Sequence, residues 1–382
     1  MLSNAPMPMP TPWLDRLLDA RSVQSMLEGL RQRHPAFVDP RRIAILGAAA
    51  EGRRLAGLCR KAGLEAVALV DDDPALRGAV IDGVAVAQTE GLDRLDRAIP
   101  VIIASHRTLK ATERLKGLGF LHVAPFALLQ LLDPLRFPPQ SFYASWLEDL
   151  FDNRSRYGHL ASILGDDFSR RVLDAIIGYR LTCDPLLLAP IVEWDLYGPA
   201  DLLNYGEHEV FIDGGSFDGD TVKLFADRVH DRYDRVLAFE PDPATFAKLR
   251  ARFDGEKRVE PINRGLYSRS GALHFNDEGS RASGLVSNGT GTKVEVTSID
   301  EVLRGEPVTY IKMNIEGAEQ EALRGAAASI TRWRPKLAIS AYHRAPDLWQ
   351  IPELVREIHA GYRLFLRQHD GGVIETVLYA LP

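Results

Sequence analysis

The sequence contains no apolar run approaching the roughly 20 residues that a helix needs to cross a bilayer, which argues against a membrane span. Cysteine is nearly absent: Cys59 and Cys183 stand far apart, without the paired spacing of a zinc site or a disulfide framework. No metal site is expected, and a reducing, cytoplasmic setting fits best. There is no basic block either. The formal charge is −6 with both signs interspersed and the arginines scattered, so nucleic acid is not expected as a partner. The opening stretch from Met1 to Trp13 lacks a basic segment ahead of an apolar core, and reads as a frayed leader instead of a secretory signal.

What is present is an ordinary globular composition over 382 residues, more than one hydrophobic core usually serves, so two domains are expected. Residues 1–37 read as leader and a short amphipathic helix near Trp13 to Arg33. Residues 38–137 alternate strand and helix: Arg42-Ile-Ala-Ile-Leu-Gly47, Ala66-Val-Ala-Leu-Val70 and Pro100-Val-Ile-Ile-Ala104 are buried-strand patterns, and such alternation implies a parallel sheet. From 138 to 206 the period turns helical, with anchors such as Phe142, Trp146, Leu150 and Tyr179, and predicts a helical connector.

Residues 207–382 offer seven strand candidates, beginning with Glu209-Val-Phe-Ile-Asp213 and ending with Tyr362 to Arg367 and Ile374 to Ala380. Helices fit between the first five. The last two are separated only by Gln368-His-Asp-Gly-Gly372, too short for a helical crossover, which predicts an antiparallel hairpin closing a doubly wound α/β sheet.

Three segments of this half carry chemistry. In Asp213-Gly214-Gly215-Ser216-Phe217-Asp218-Gly219-Asp220-Thr221 a buried strand meets a glycine turn that feeds a helix; glycines let the backbone approach a ligand, and amides at a helix start favour its polar groups. Asp213 could receive an ammonium group. Glycine turns also serve packing alone. The second strand ends Phe239-Glu240-Pro241, and Glu240 follows Asp213 by 27 residues (240 − 213), close to the spacing at which an acid reaches a ribose hydroxyl. Asn263, Gly265 and Leu266, after the third strand, would then lie near a base. In Tyr310-Ile-Lys312-Met-Asn314-Ile-Glu316-Gly317-Ala-Glu319 a buried strand breaks into polar residues at its carboxyl end, the edge where open α/β sheets bind ligands. Lys312 and Asn314 share strand parity.

Taken in order, these segments with Ser298-Ile-Asp300-Glu301 and Glu375-Thr-Val-Leu-Tyr379 resemble the FkbM family of S-adenosylmethionine-dependent methyltransferases over roughly residues 207–382. The resemblance implies a Rossmann-like methyltransferase sheet, S-adenosylmethionine on Asp213 to Thr221 with Glu240 on its ribose, and O-methylation of a sugar, polysaccharide-precursor or polyketide hydroxyl. The family usually has Asp where this chain has Asn314, and asparagine can neither act as a carboxylate base nor bring negative charge to a metal. Asn314 then positions substrate or cofactor, or this copy is weakened. The best-placed candidate to remove the acceptor's proton is His343, in Ser340-Ala-Tyr-His343-Arg344, where a near-neutral imidazole suits a base, although a strand-end histidine is as often a plain hydrogen-bonding residue. Glu316 is the second candidate and His369 the third; Lys312 completes the catalytic set. The glycine- and serine-rich stretch 276–291 is either a flap over the acceptor or a plain loop.

In the first domain, Gly47-Ala48-Ala49-Ala50-Glu51-Gly52 is a degenerate dinucleotide fingerprint, with Ala49 at the middle glycine. Asp71, 24 residues after Gly47 (71 − 47), could meet a ribose. With Asp71-Asp72-Asp73-Pro74 and Ile81-Asp-Gly83-Val84, this part resembles the nucleotide-sugar-binding domains that precede bacterial sugar acyltransferases; an empty domain kept for docking or dimerisation reads the same way. Expected partners are therefore a sugar, nucleotide-sugar or glycan acceptor, with homo-oligomerisation open. The competing reading is a non-catalytic cofactor- or nucleotide-sugar-binding protein on a methyltransferase fold. An NAD-dependent oxidoreductase would need the missing middle glycine and a hydride-transfer partner.

Overall fold

The computed structural model describes residues 11–140, 142–275, 285–286 and 292–382. The chain divides into two compact units: Met1–Ala161 with Arg170–Val192 and Asp370–Ile374, and Ser162–Ser169 with Glu193–His369 and Glu375–Pro382.

The first unit is built on a six-stranded sheet of β1 (Arg42–Leu46), β2 (Glu65–Val70), β3 (Val80–Ile81), β4 (Val84–Ala87), β5 (Val101–Ile103) and β6 (Val123–Pro125), in the order β3-β4-β2-β1-β5-β6. All pair in parallel except β3 and β4. Those two meet through Asp82 and Gly83, both at positive φ, the signature of a tight hairpin turn. Ala44, Val70, Val101, Ile103 and Val123 bury one face with Leu92, Leu115 and Phe120. The helix Ala50–Lys61 can lie this close to β1 because of Gly52, where an added Cβ would stand 1.9 Å from the Gly47 carbonyl oxygen. The expected single helix near Trp13 to Arg33 is two, Pro12–Leu18 and Val23–Arg33. Ser22 begins the second by accepting a bond from the Ser25 amide, a cap that periodicity alone does not reveal.

The second unit carries a seven-stranded sheet of β7 (Glu209–Gly214), β8 (Tyr233–Phe239), β9 (Val259–Ile262), β14 (Tyr310–Met313), β15 (Lys336–Ser340), β16 (Arg363–Gln368) and β17 (Thr376–Leu381). A smaller sheet contains β10 (Gly265–Leu266), β11 (Gly271–Phe275), β12 (Leu285–Val286) and β13 (Thr292–Thr297). The large sheet runs β16-β17-β15-β14-β7-β8-β9, parallel except for β17, which pairs antiparallel with both neighbours. The expected closing hairpin is therefore present. One face is held by Phe211, Phe225, Val236, Leu249, Tyr310 and Tyr379, with the rings of Phe211 and Tyr310 stacked at 4.8 Å. Each such side chain taken from water contributes about 1.5–3 kcal/mol. Successive strands leave β7 in opposite directions, β8 and β9 to one side and β14 and β15 to the other, so the switch point of the sheet lies between β7 and β14. Gly265 and Leu266, which follow the third strand, begin the smaller sheet, where β11 and β13 pair antiparallel. The flap reading for 276–291 lies outside the described residues, apart from Leu285 and Val286, which pair with β11.

Candidate active site

At the switch point, β7 and β14 place Asp213 and Lys312 directly opposite each other. Asp213 is 0% exposed and Lys312 1%, and the Lys312 Nζ lies 2.8 Å from Asp213 Oδ1. The ammonium also donates to the carbonyls of Gly214, at 3.1 Å, and Gly215, at 2.9 Å, and stands over the Tyr197 ring. All three of its protons thus brace the glycine turn. Asp213 Oδ2 is buried and has no hydrogen-bond partner among the described residues.

The turn itself is shaped for close backbone approach. Gly215 has φ +72, and a Cβ there would stand 2.0 Å from the Asn314 carbonyl oxygen. The amides of Gly215 and Ser216 donate to the Phe239 carbonyl, and the Ser216 hydroxyl donates to the Asp213 carbonyl. Phe217, more than half exposed, follows at positive φ. Gly219 precedes the helix Asp220–Arg228, which contains Thr221; Asp218 pairs with Arg252.

Glu240 closes β8. Its Oε2 accepts from the Phe217 amide at 3.0 Å and its Oε1 from the Asp242 amide at 2.9 Å. Burial pushes its carboxyl up to about 7, against the pull of those two amides. Asn263 donates from Nδ2 to the carbonyls of Glu240 and Pro241, a Cβ on Gly265 would approach Pro241, and the Leu266 side chain packs over Gly214. The residues expected to hold a cofactor therefore surround one turn.

Beyond β14 and β15 lies a second cluster. Asn314 Oδ1 accepts from the Tyr342 hydroxyl at 3.2 Å. His343 is buried, with Nδ1 3.0 Å from Glu319 Oε1 and Nε2 3.8 Å from Glu316 Oε2. Burial opposes charge on its ring, yet Glu319, backed by Glu316 and Asp347, raises the imidazole to about 9. That direction favours the charged ring near neutral pH, whereas the sequence reading took His343 as a near-neutral base. The same cation holds the Glu319 carboxyl below its ordinary range despite burial. Asp347 is pushed up to about 6 by burial and by Glu319.

His369, by contrast, is engaged on both ring nitrogens, by the Glu193 carbonyl at 2.6 Å and the Tyr379 hydroxyl at 2.8 Å, and burial lowers it to about 4. Glu319, Tyr342, Asp347 and the trio Tyr197, Ser340 and Glu375, whose hydroxyls and carboxylate lie within 3.4 Å of one another through Tyr197, were not singled out from sequence. Glu319, Ser340, Tyr342 and Glu375 stood there only inside longer motifs, and Tyr197 and Asp347 left no trace.

In the first unit, the Ala48 amide donates to Asp71 Oδ2 at 2.6 Å and the Asp73 amide to Asp71 Oδ1 at 2.8 Å. Gly47, Ala49 and Gly52 lie on the turn that Asp71 ties down. Among the described residues no group of acids, histidines and cysteines is disposed to hold a metal, and no helix is long and apolar enough to cross a membrane.

A seven-stranded sheet of this order, with a glycine turn and a strand-end acid at its switch point, defines a methyltransferase fold. Residues 213–370 match the family model described as the methyltransferase FkbM domain. The chain is similar to a methyltransferase FkbM from Methylobacillus flagellatus KT, with 23% identity and a TM-score of 0.75 over 96% of this chain and 100% of that one; at that identity the likeness is one of fold. More distant are fibrillarin from Aeropyrum pernix with natively bound S-adenosyl-L-methionine, at 12% identity and TM-score 0.33 over 48% of this chain and 70% of that one, and UDP-D-quinovosamine 4-dehydrogenase from Vibrio fischeri, at 22% identity and TM-score 0.20 over 22% and 75%. No curated protein matches.

Proposed function

We propose that the C-terminal unit is an S-adenosylmethionine-dependent O-methyltransferase acting on a hydroxyl of a sugar or glycan precursor, and that the N-terminal unit recognises a nucleotide-linked part of that acceptor. The observation that carries the cofactor reading is the buried, partnerless Asp213 Oδ2 beside a glycine turn whose Cβ positions are sterically closed. Asp213 suits the ammonium of the methionine part. Glu240 suits the ribose hydroxyls, with Asn263, Gly265 and Leu266 around the base. When bound, S-adenosylmethionine supplies an electrophilic methyl carbon on a sulfonium.

The chain's own residues must hold the acceptor oxygen in line and dispose of its proton. The tyrosine hydroxyls of Tyr197 and Tyr342, the Asn314 amide and the carboxylates Glu316 and Glu375 supply hydrogen-bonding groups of the kind a polyhydroxylated acceptor requires, at the edge next to the turn. In the N-terminal unit, the Asp71 carboxylate and the turn Gly47 to Gly52 repeat that acid-and-glycine chemistry, which supports a nucleotide ligand there. Buried thiols at Cys59 and Cys183, without a disulfide, accord with a reducing, cytoplasmic setting.

Isothermal titration with S-adenosylmethionine, paired with an assay for S-adenosylhomocysteine across a panel of sugars and nucleotide sugars, tests this reading. Binding with turnover on a hydroxyl acceptor is expected. Binding with no turnover would favour the non-catalytic alternative that Asn314 suggests, and absence of binding would remove both.

A further inference from the structure

We propose that Glu316 takes the proton of the acceptor hydroxyl, while His343 is a positioning cation locked by the buried carboxylate of Glu319; this rests on the O-methyl transfer set out above. Glu319 is 1% exposed, and its Oε1 accepts from the Ile315 amide at 2.8 Å while standing 3.0 Å from His343 Nδ1. That anchor fixes the ring so that Nε2 faces Glu316 Oε2 at 3.8 Å. Facing His343 are the carboxylates of Glu319, Glu316 and Asp347 and the ring of Tyr342 at 4.3 Å, and the Arg344 guanidinium lies beside Gly317.

A doubly protonated imidazole has no lone pair with which to accept a proton, whereas a carboxylate beside it is held ionised by the opposite charge. Of the two glutamates, Glu319 is sealed. Glu316 keeps about a third of its side chain exposed. Its backbone is held in the left-handed region as well: Glu316 has φ +56 and Gly317 φ +92, and Glu375 shares that conformation at φ +63. Asn314, two residues earlier, cannot take a proton, so at the end of β14 the nearest carboxylate is that of Glu316.

As the acceptor oxygen bonds to the methyl carbon, the carbon–sulfur bond breaks with its electron pair remaining on sulfur, and the hydroxyl proton passes to Glu316. One positive charge on sulfur is thereby exchanged for one proton on the carboxylate. His343 gives up nothing and stabilises Glu316 in its ionised form.

Three measurements on the full chain decide the matter. Glu316→Gln should lower kcat by about 10²- to 10⁴-fold, the range of a lost general base, with cofactor affinity unchanged. The kcat of the native enzyme at saturating cofactor should be level through neutral pH and fall above about 9 as His343 loses its proton. The ¹⁵N shifts of His343 should report an imidazolium at neutral pH, and Glu319→Gln should move that titration downward. Full turnover in Glu316→Gln, or a kcat that rises through the histidine titration to a plateau, would overturn the inference in favour of His343 as base. A neutral His343 at pH 7 by NMR would overturn it without any acceptor. Absence of turnover on every hydroxyl panel would count against the proposed activity, and the imidazole titration would still decide the state of His343.

Discussion

Asp213 and Lys312 occupy facing positions on adjacent parallel strands and form a 2.8 Å ion pair that is almost wholly shielded from water. The lysine also donates to two carbonyls of the glycine turn, so one side chain ties the strand ends to the loop that leaves them. Removing one partner leaves a buried charge alone, which costs about 3–5 kcal/mol. Lys312→Met should therefore lower the urea-unfolding free energy by that amount, and Asp213→Asn added to it should recover part of the loss. A single variant as stable as the native chain would show that the pair does not hold the turn.

The glycine turn gives a sharper steric test. Gly215→Ala must adopt a positive φ and also displace the Asn314 carbonyl, which would stand 2.0 Å from the new Cβ. Gly255 has positive φ too, +85, but nothing within 4 Å of that position. Backbone strain of about 1–3 kcal/mol applies to both. Gly215→Ala should cost clearly more in thermal unfolding and abolish cofactor binding, whereas Gly255→Ala should show the strain alone. Equal losses would mean that the approach to Asn314 is not tight.

Glu240 predicts how cofactor affinity follows pH. Burial raises its carboxyl to about 7, so the ionised form, with acceptors for two hydroxyls, grows as pH rises through that value. Binding of S-adenosylmethionine measured by titration calorimetry should strengthen between about pH 6 and pH 8. In Glu240→Gln the dependence should vanish, and in Glu240→Ala binding should be weak throughout. Affinity that declines over this interval would sink the ribose assignment.

His343 has the opposite bearing on stability. Its folded pKa, about 9, lies above the ordinary 6.5, so it binds a proton more tightly folded than unfolded. The stabilisation is complete below about 6.5 and is lost as pH rises through about 9. The difference in unfolding free energy between the native chain and His343→Asn should therefore shrink over that interval. A constant difference would mean that the imidazole is not held as a cation.

Much of this architecture was legible in the sequence because it rests on backbone rules. Apolar runs located three of the six strands of the first sheet and the seven of the large second sheet, and the five residues after Arg367 forced the final hairpin. The turn at Asp213 to Gly219 was legible for the same reason. Side-chain partnerships across strands were not. Lys312 was legible as a residue near the end of its strand, yet the register that sets it opposite Asp213 and against the glycine turn depends on strand pairing that no local pattern encodes. His343 was visible as a strand-end histidine, while its protonation depends on Glu319, 24 residues earlier in the chain (343 − 319), brought to it by folding. The small β3–β4 hairpin was written in Asp82-Gly83, although its strands are too short for a periodic signal.

Both units end their second strand in an acid that grips two amides, Asp71 those of Ala48 and Asp73, Glu240 those of Phe217 and Asp242. In the proposed complexes, an incoming ribose competes with contacts the protein already makes to itself. Occupancy is then a swap of one set of partners for another, so its net gain is smaller than a count of new bonds implies. The self-made contacts stand ready to re-form when the nucleoside departs, which favours turnover over tight retention.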